Sequence, residues 1–217
     1  MNKYKIVSLV LAIALLGTLA RLVWVSHSHP TSVSPVKADR MVVLENILSR
    51  KSVRSFMEKE VSREQLDTLV RAAMAAPTGR DMRPWKFIIL DDREVMDSLA
   101  VRLPYAKMLQ EAPAAILVCG DMQVTDAQGK PSGNWAFDCS AASENLLLMA
   151  EAMGLGAVWT GVYPYEDRLQ TVKEALGLPE HIIPLNLIPV GYPKGETNPK
   201  DKYNSDNISY NTWSSMR

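Results

Sequence analysis

The stretch Ser49-Arg50-Lys51-Ser52-Val53-Arg54-Ser55 places three cations and three hydroxyls within seven residues. A dianion is the natural partner for that set. Arginine presents a planar fork of donors that matches phosphate oxygens, lysine adds a point charge, and the serines add neutral donors. A solvated basic face is the alternative, because short charged runs are commonly just that.

Other chemistry finds less support. His27 and His29 have no third ligand nearby, and zinc needs three or four held at fixed geometry. Cys119 and Cys139 form neither a metal spacing nor a redox dithiol. Cys119 sits in an apolar run and reads as a small buried hydrophobe, with a disulfide to Cys139 left open. His181 follows Pro179-Glu180 at a loop with no identifiable orienting partner, so a nucleophile triad has no signal. Carboxylates occur as helix caps and surface pairs, which is not a two-carboxylate hydrolase pattern. Gly154-Leu155-Gly156 closes a helix and leads into a strand, the reverse of a dinucleotide fingerprint. No phosphate-cradling loop with Lys and Thr at the required spacing occurs either. Any chemistry therefore belongs to a bound cofactor.

The elements around the basic stretch can be read in order. Asp39 can cap a helix with apolar positions Val43, Leu44, Ile47 and Leu48, which runs directly into the cations. Ser62 to Gln65 is a capping-box pattern, followed by Leu66, Leu69, Val70, Ala73 and Met74 at helical spacing until Pro77. These two helices are expected to pack on a common core. Residues 85–90 read as a strand closed by Asp91-Asp92, either of which can cap a helix through Val95 and Leu99. Residues 114–118 read as a buried strand. A long helix over 134–153 carries Ala136, Ala141, Ala142 and Ala150, which would let a neighbouring helix, even one of another subunit, approach closely; Gly154 is its expected left-handed cap. A strand over 157–160, a helix over 167–176 ending at Gly177, and a last strand over 184–190 complete the chain. Pro184 and Pro189 in that last strand argue for an edge position or irregular pairing. Strands and helices alternate, which gives one sheet flanked by helices.

The chain has 217 residues, is 47% hydrophobic and carries no formal net charge, so nucleic acid is not an expected partner. Residues 39–217 are the size of one domain. Before them, Lys3 and Lys5 precede the apolar run Ile6 to Ala20, which Leu22-Val23-Trp24-Val25 extends across Arg21. Residues 1–25 are thus a signal anchor or signal peptide, and 26–38, rich in Ser, Pro and His, are a linker. The length favours an uncleaved anchor, and the lysines predict the N-terminus inside and the domain outside the cytoplasm. The domain is expected to be membrane-anchored, or exported after cleavage.

Four blocks in order and spacing resemble the flavin-dependent nitroreductase family: residues 49–56; Ala76-Pro77-Thr78-Gly79-Arg80-Asp81-Met82-Arg83-Pro84-Trp85-Lys86-Phe87; Gly154-Leu155-Gly156-Ala157-Val158-Trp159-Thr160-Gly161-Val162; and Pro189-Val190-Gly191-Tyr192-Pro193 with Lys202 and Trp213. The resemblance implies the nitroreductase-like α+β fold, a mixed central sheet sandwiched by helices, in a homodimer with FMN at the interface. It implies that Arg50, Lys51, Ser52 and Arg54 form the flavin mononucleotide segment with the arginines on the phosphate, and that Lys202 joins them. It implies that Pro77 and Thr78 reach the flavin from the second subunit, that Asp81 belongs to the same cofactor-binding block, and that the Thr160-Gly161 backbone faces the ring near N5. The implied reaction has two halves. NAD(P)H gives hydride to flavin N5 and leaves; an electron-poor small molecule, a nitroaromatic or quinone, then takes the electrons.

Two positions depart from the family pattern, Asp81 for the usual Asn and Arg83 for the usual Gln. An acid there removes a donor and adds negative charge, which lowers the flavin potential unless Arg83 compensates. The expected location raises a second question, because reduced nicotinamides are cytoplasmic. Either the topology is inverted or the donor is different, such as a membrane quinol. The alternative function is therefore a membrane-tethered flavin-binding or electron-transfer module using a donor other than NAD(P)H.

Overall fold

The last strand is the organising element of the sheet, and its neighbours explain how two prolines fit inside it. In the computed structural model, which describes residues 40–213, β5 (Ile182–Gly191) pairs with β2 (Ala114–Asp121) on one side. On the other side it meets two short strands, β3 (Gly156–Ala157) and β4 (Thr160–Gly161). β1 (Trp85–Leu90) completes the order β1-β2-β5-β3, with β4 also on β5. All these pairings are antiparallel, and the one parallel pairing among the described residues is a single bridge from Ser52 to Ala157. The edge reading of β5 is therefore corrected: its last eight positions, Pro184 to Gly191, are buried. Irregular pairing is what accommodates the prolines. Pro184 flanks a register shift opposite Val118 and Cys119, and Pro189 falls between the stretches paired with β4 and β3. The strand expected over 157–160 is split by Val158 and Trp159 into β3 and β4.

Period-two alternation divides the core between the sheet's two faces. Ile116 and Val118 of β2, with Ile188 and Val190 of β5, face α2 (Arg63–Met74) and α4 (Trp135–Ala152). Leu117 and Cys119, with Leu187, face α3 (Arg93–Arg102) and α5 (Glu166–Leu176). α2 starts on the expected capping box, with Ser62 Oγ accepting from Gln65 N at 3.2 Å and Gln65 Oε1 accepting from Ser62 N at 3.0 Å. Asp92 caps α3 through Val95 N at 3.1 Å. The small residues of α4 serve the protomer's own core: Ala142 and Ala150 are fully buried there, and Asn145 Nδ2 donates to Ala72 O of α2 at 3.2 Å. Gly154, at φ 70°, supplies the left-handed residue after α4.

α1 (Arg40–Ser49) departs from expectation. Val43, Leu44, Ile47 and Leu48 were expected to share a core with α2, yet they are 43–65% exposed. The polar Asn46 is the residue turned inward, its Nδ2 donating to Leu148 O of α4 at 3.0 Å, and this leaves the apolar side outward.

The chain divides into two compact units, Met1–Val42 and Val43–Arg217, and the site lies in the second. The expected anchor or signal over 1–25, the linker over 26–38 and the Asp39 cap lie outside the described residues. No described helix is long and apolar enough to cross a membrane.

Candidate functional site

The basic stretch leaves α1 and is laced onto the end of the sheet. Val53 N donates to Ala157 O at 3.0 Å, Met57 N to Tyr192 O at 2.8 Å, and Lys194 N to Ser55 O at 3.0 Å. Val53 and Phe56 are driven into the α3/α5 core, at 1% and 3% exposure, and anchor the polar side chains beside them. Two glycines make that seat possible. A Cβ on Gly156 would lie 2.6 Å from Val53 Cβ, and one on Gly191 would lie 2.8 Å from the Phe56 ring. Glu111 closes the seat, accepting from Ser55 Oγ at 2.9 Å and Phe56 N at 3.2 Å. Those donors, the Ser55 hydroxyl foremost, hold its carboxyl below the usual range.

So positioned, Arg50, Lys51, Ser52 and Arg54 line a cavity of about 320 Å³ together with Thr197, Asn198, Lys200 and Lys202. The structure brings the N-terminal cluster and Lys202 together across the whole domain. Their charges are not equivalent. Lys51 Nζ is 2.8 Å from Glu151 Oε1, and Arg50 Nε is 3.7 Å from Glu144 Oε1. Arg54, Lys200 and Lys202 make no side-chain ion pair or hydrogen bond with another described residue. They are the cations free to meet an anion, whereas Lys51 is already neutralised. Thr197, Asn198 and Lys200 were not among the expected site residues; the run Thr197-Asn198-Pro199-Lys200-Asp201-Lys202 has a hydroxyl and cations like those that pointed to the first segment.

Arg54 also lines a smaller cavity of about 120 Å³ with Tyr105, Met108, Trp159, Thr160, Gly161 and Arg168, so the two spaces share a wall. β4 forms its floor. Thr160 is buried, and a Cβ on Gly161 would have nothing nearer than 3.9 Å, which leaves room for a flat group over that peptide. Arg168 was not foreseen. Its Nη1 donates to Gly161 O at 2.9 Å and its guanidinium carbon lies 3.8 Å from the Tyr165 ring centroid.

Pro77, Thr78 and Asp81 lie apart from both cavities in this protomer. Thr78 Oγ1 accepts from Arg83 N at 3.3 Å, and Gly79 N donates to Asp138 Oδ1 at 3.0 Å. Arg80, Asp81 and Arg83 have φ of 54°, 55° and 51°, on either side of a right-handed Met82, and left-handed backbone costs energy for side-chain-bearing residues. Arg83 grips Asp81 with both ends of its fork, at 2.7 and 2.5 Å, and holds that carboxyl below its ordinary range. The two departures from the family pattern are thus a matched pair. Cys119 and Cys139 are free thiols, both buried, with Cys139 Sγ donating to Cys119 O at 3.4 Å. Burial pushes each thiol up to about 12.

An α+β fold with a cation-lined cavity next to a second one over Gly161, Arg54 lining both, defines a protein suited to an extended anionic cofactor. A model of the Nitroreductase family matches residues 47–103 and 97–192, and the chain belongs to that family. It is 41% identical over 194 residues, 89% of this chain and 100% of the relative, to a Methanothermobacter thermautotrophicus protein with the provisional name NADH dehydrogenase/NAD(P)H nitroreductase. A solved structure of the same provisional name from Parabacteroides distasonis is 55% identical, covering 79% of this chain and 99% of that one, with a TM-score of 0.75. The NADPH:FMN oxidoreductase of Vibrio harveyi, solved with NAD+, superposes with a TM-score of 0.70 at 25% identity over 81% of this chain and 79% of its own.

Proposed function

We propose that the protein is an FMN-dependent oxidoreductase that carries reducing equivalents from NAD(P)H to an electron-poor acceptor such as a nitroaromatic or quinone. The observation that carries the reading is the convergence of Arg50, Ser52 and Arg54 with Lys200 and Lys202 on one cavity, which shares Arg54 with the neighbouring cavity over Thr160-Gly161. Arg54, Lys200 and Lys202 would grip the phosphate with charge-assisted hydrogen bonds, and Ser52 would add a neutral donor. Lys51 keeps Glu151 from opposing them. Gly161 offers its backbone to the ring without a side chain in the way. When bound, FMN supplies the hydride chemistry, so no side chain need act as nucleophile.

We further propose a homodimer in which Pro77, Thr78 and Asp81 serve the partner's cofactor. The outward apolar side of α1 and Phe137 of α4, 74% exposed, support it, because a lone protomer gains nothing by leaving them in water. The membrane-tethered reading, with a different donor, rests on Lys3, Lys5 and the apolar run after them.

Purified residues 39–217 should be yellow, sediment as a dimer, and bleach anaerobically with NADH or NADPH. Recolouring on addition of a nitroaromatic or quinone completes the test. Folded protein that neither carries nor takes up FMN overturns the proposal. Colour that neither nicotinamide bleaches favours the tethered module, which fractionation of the full chain with membranes would support.

A further inference from the structure

Arg168 is in the wrong place for an ordinary surface arginine. It lies in the first turn of α5, the helix end that disfavours cations, directly after Glu166 and Asp167. Neither of those acids nor any other described carboxylate pairs with it. Its Nη1 is spent on the Gly161 carbonyl, its guanidinium carbon lies over the Tyr165 ring, and its Nε is sealed from solvent with no acceptor. Leaving a buried donor unmade and a partly buried cation unpaired is costly. Arg54 is the other charged group lining the same small cavity, and it too has no carboxylate partner. Among the described residues lining it, the cleft therefore holds two cations and no carboxylate.

The same contact fixes the floor. The peptide that follows Gly161 is pinned on both sides, its carbonyl by Arg168 and its N–H, that of Val162, by Leu185 O at 3.1 Å. We propose that Arg168 is a positioning residue for the redox cofactor: it sets the Gly161 peptide and places an unneutralised positive charge behind it that favours the reduced, more negative cofactor over the oxidised one. This rests on the FMN reading above. Transfer of a hydride, two electrons and one proton, to a neutral ring leaves that ring with one negative charge. A cation behind the floor lets the ring keep that charge instead of taking a further proton from water.

The test uses the holoenzyme and reads the two-electron midpoint potential by spectroelectrochemistry. Arg168→Gln should retain FMN and lose about tenfold in preference for the reduced cofactor, seen as a fall of about 30 mV. Arg168→Lys, which keeps the charge, should stay near the wild-type value. An Arg168→Gln protein that holds FMN at the wild-type potential, whatever its melting temperature, overturns the inference; so does an Arg168→Lys protein that falls as far as the Gln variant. Should Arg168→Gln not fold, the wild type still decides. Its potential should drop by about 30 mV per pH unit, one proton for two electrons, and a slope of about 59 mV, two protons, refutes the retained charge. A chain that takes up no FMN removes the underlying reading and this inference with it; unmoved potentials in an FMN-loaded protein remove the inference alone.

Discussion

Replacing Gly156 by alanine tests whether the cation cluster is held by close packing against the sheet. The new Cβ would sit 2.6 Å from Val53 Cβ and 2.7 Å from each Val53 Cγ, well inside contact distance. Neither partner can retreat easily. Val53 is 1% exposed, and its N–H is tied at 3.0 Å to the residue after Gly156. Overpacking of this kind costs about 1–3 kcal/mol. The φ of Gly156 is not in the left-handed region, so alanine regains roughly 0.4–1 kcal/mol by restricting the unfolded chain. The net loss, at most about 2.6 kcal/mol, corresponds to a fall in Tm of up to roughly 10 °C for a domain of this size. The effect on the cofactor should be larger in proportion. Val53 sits between Ser52 and Arg54, so moving it withdraws at least one charge-assisted hydrogen bond, worth about 1.5–3 kcal/mol, or roughly tenfold to hundredfold in FMN affinity. Thermal unfolding and a flavin fluorescence titration measure both, with Gly133→Ala as a control because a Cβ there meets nothing within 4 Å. A Gly156→Ala protein with the Tm and FMN affinity of the control would refute the packing argument.

Three further outcomes follow from the same geometry. Because the Ser55 hydroxyl and Phe56 N–H depress Glu111, its contribution is full above the unfolded carboxyl value of ~4.3 and is lost as pH falls through the lower folded value; the gap in Tm between wild type and Glu111→Ala should hold at neutral pH and begin to narrow only as the pH falls past ~4.3, narrowing further with each step into acid, and a constant gap would contradict it. Asp81→Asn leaves Arg83 unpaired and Arg83→Ala leaves Asp81 unpaired, so spectroelectrochemistry should show the flavin potential rising in the first and falling in the second, each within about 30 mV; shifts of the same sign would sink the matched-pair account. Cys119 and Cys139, buried and pushed up to about 12, should resist a thiol reagent at pH 8 in the native protein and both react once it is unfolded.

Local signals carried over into the structure where one element could satisfy them alone. The Ser62–Gln65 box, the Asp92 cap and the buried run of β2 depend on neighbours in sequence, and each appears as expected. The cation cluster was legible for the same reason, as was its link to Lys202 through the family pattern. What was not legible depends on distant partners. The apolar side of α1 looks like a core face until Asn46 is seen to take the inward position. Pro184 and Pro189 argue for an edge until the register shift and the gap between β3 and β4 make room for them. Lys51 looks equivalent to Arg54 in sequence, and only the approach of Glu151 separates them. Arg168 did leave a trace, a cation in the first turn of a helix behind two acids, but nothing short of tertiary structure says that its target is Gly161.

β5 carries both ends of the cleft. The segment of Val53 hangs from β3, the floor at Gly161 belongs to β4, and both strands are sutured to that one ribbon, which is itself clamped by β2. Amide exchange at Val53, Val162 and Tyr163 should therefore slow and quicken in concert. A cofactor held this way would be released in one cooperative opening, with a single exponential, and not peeled away tail first.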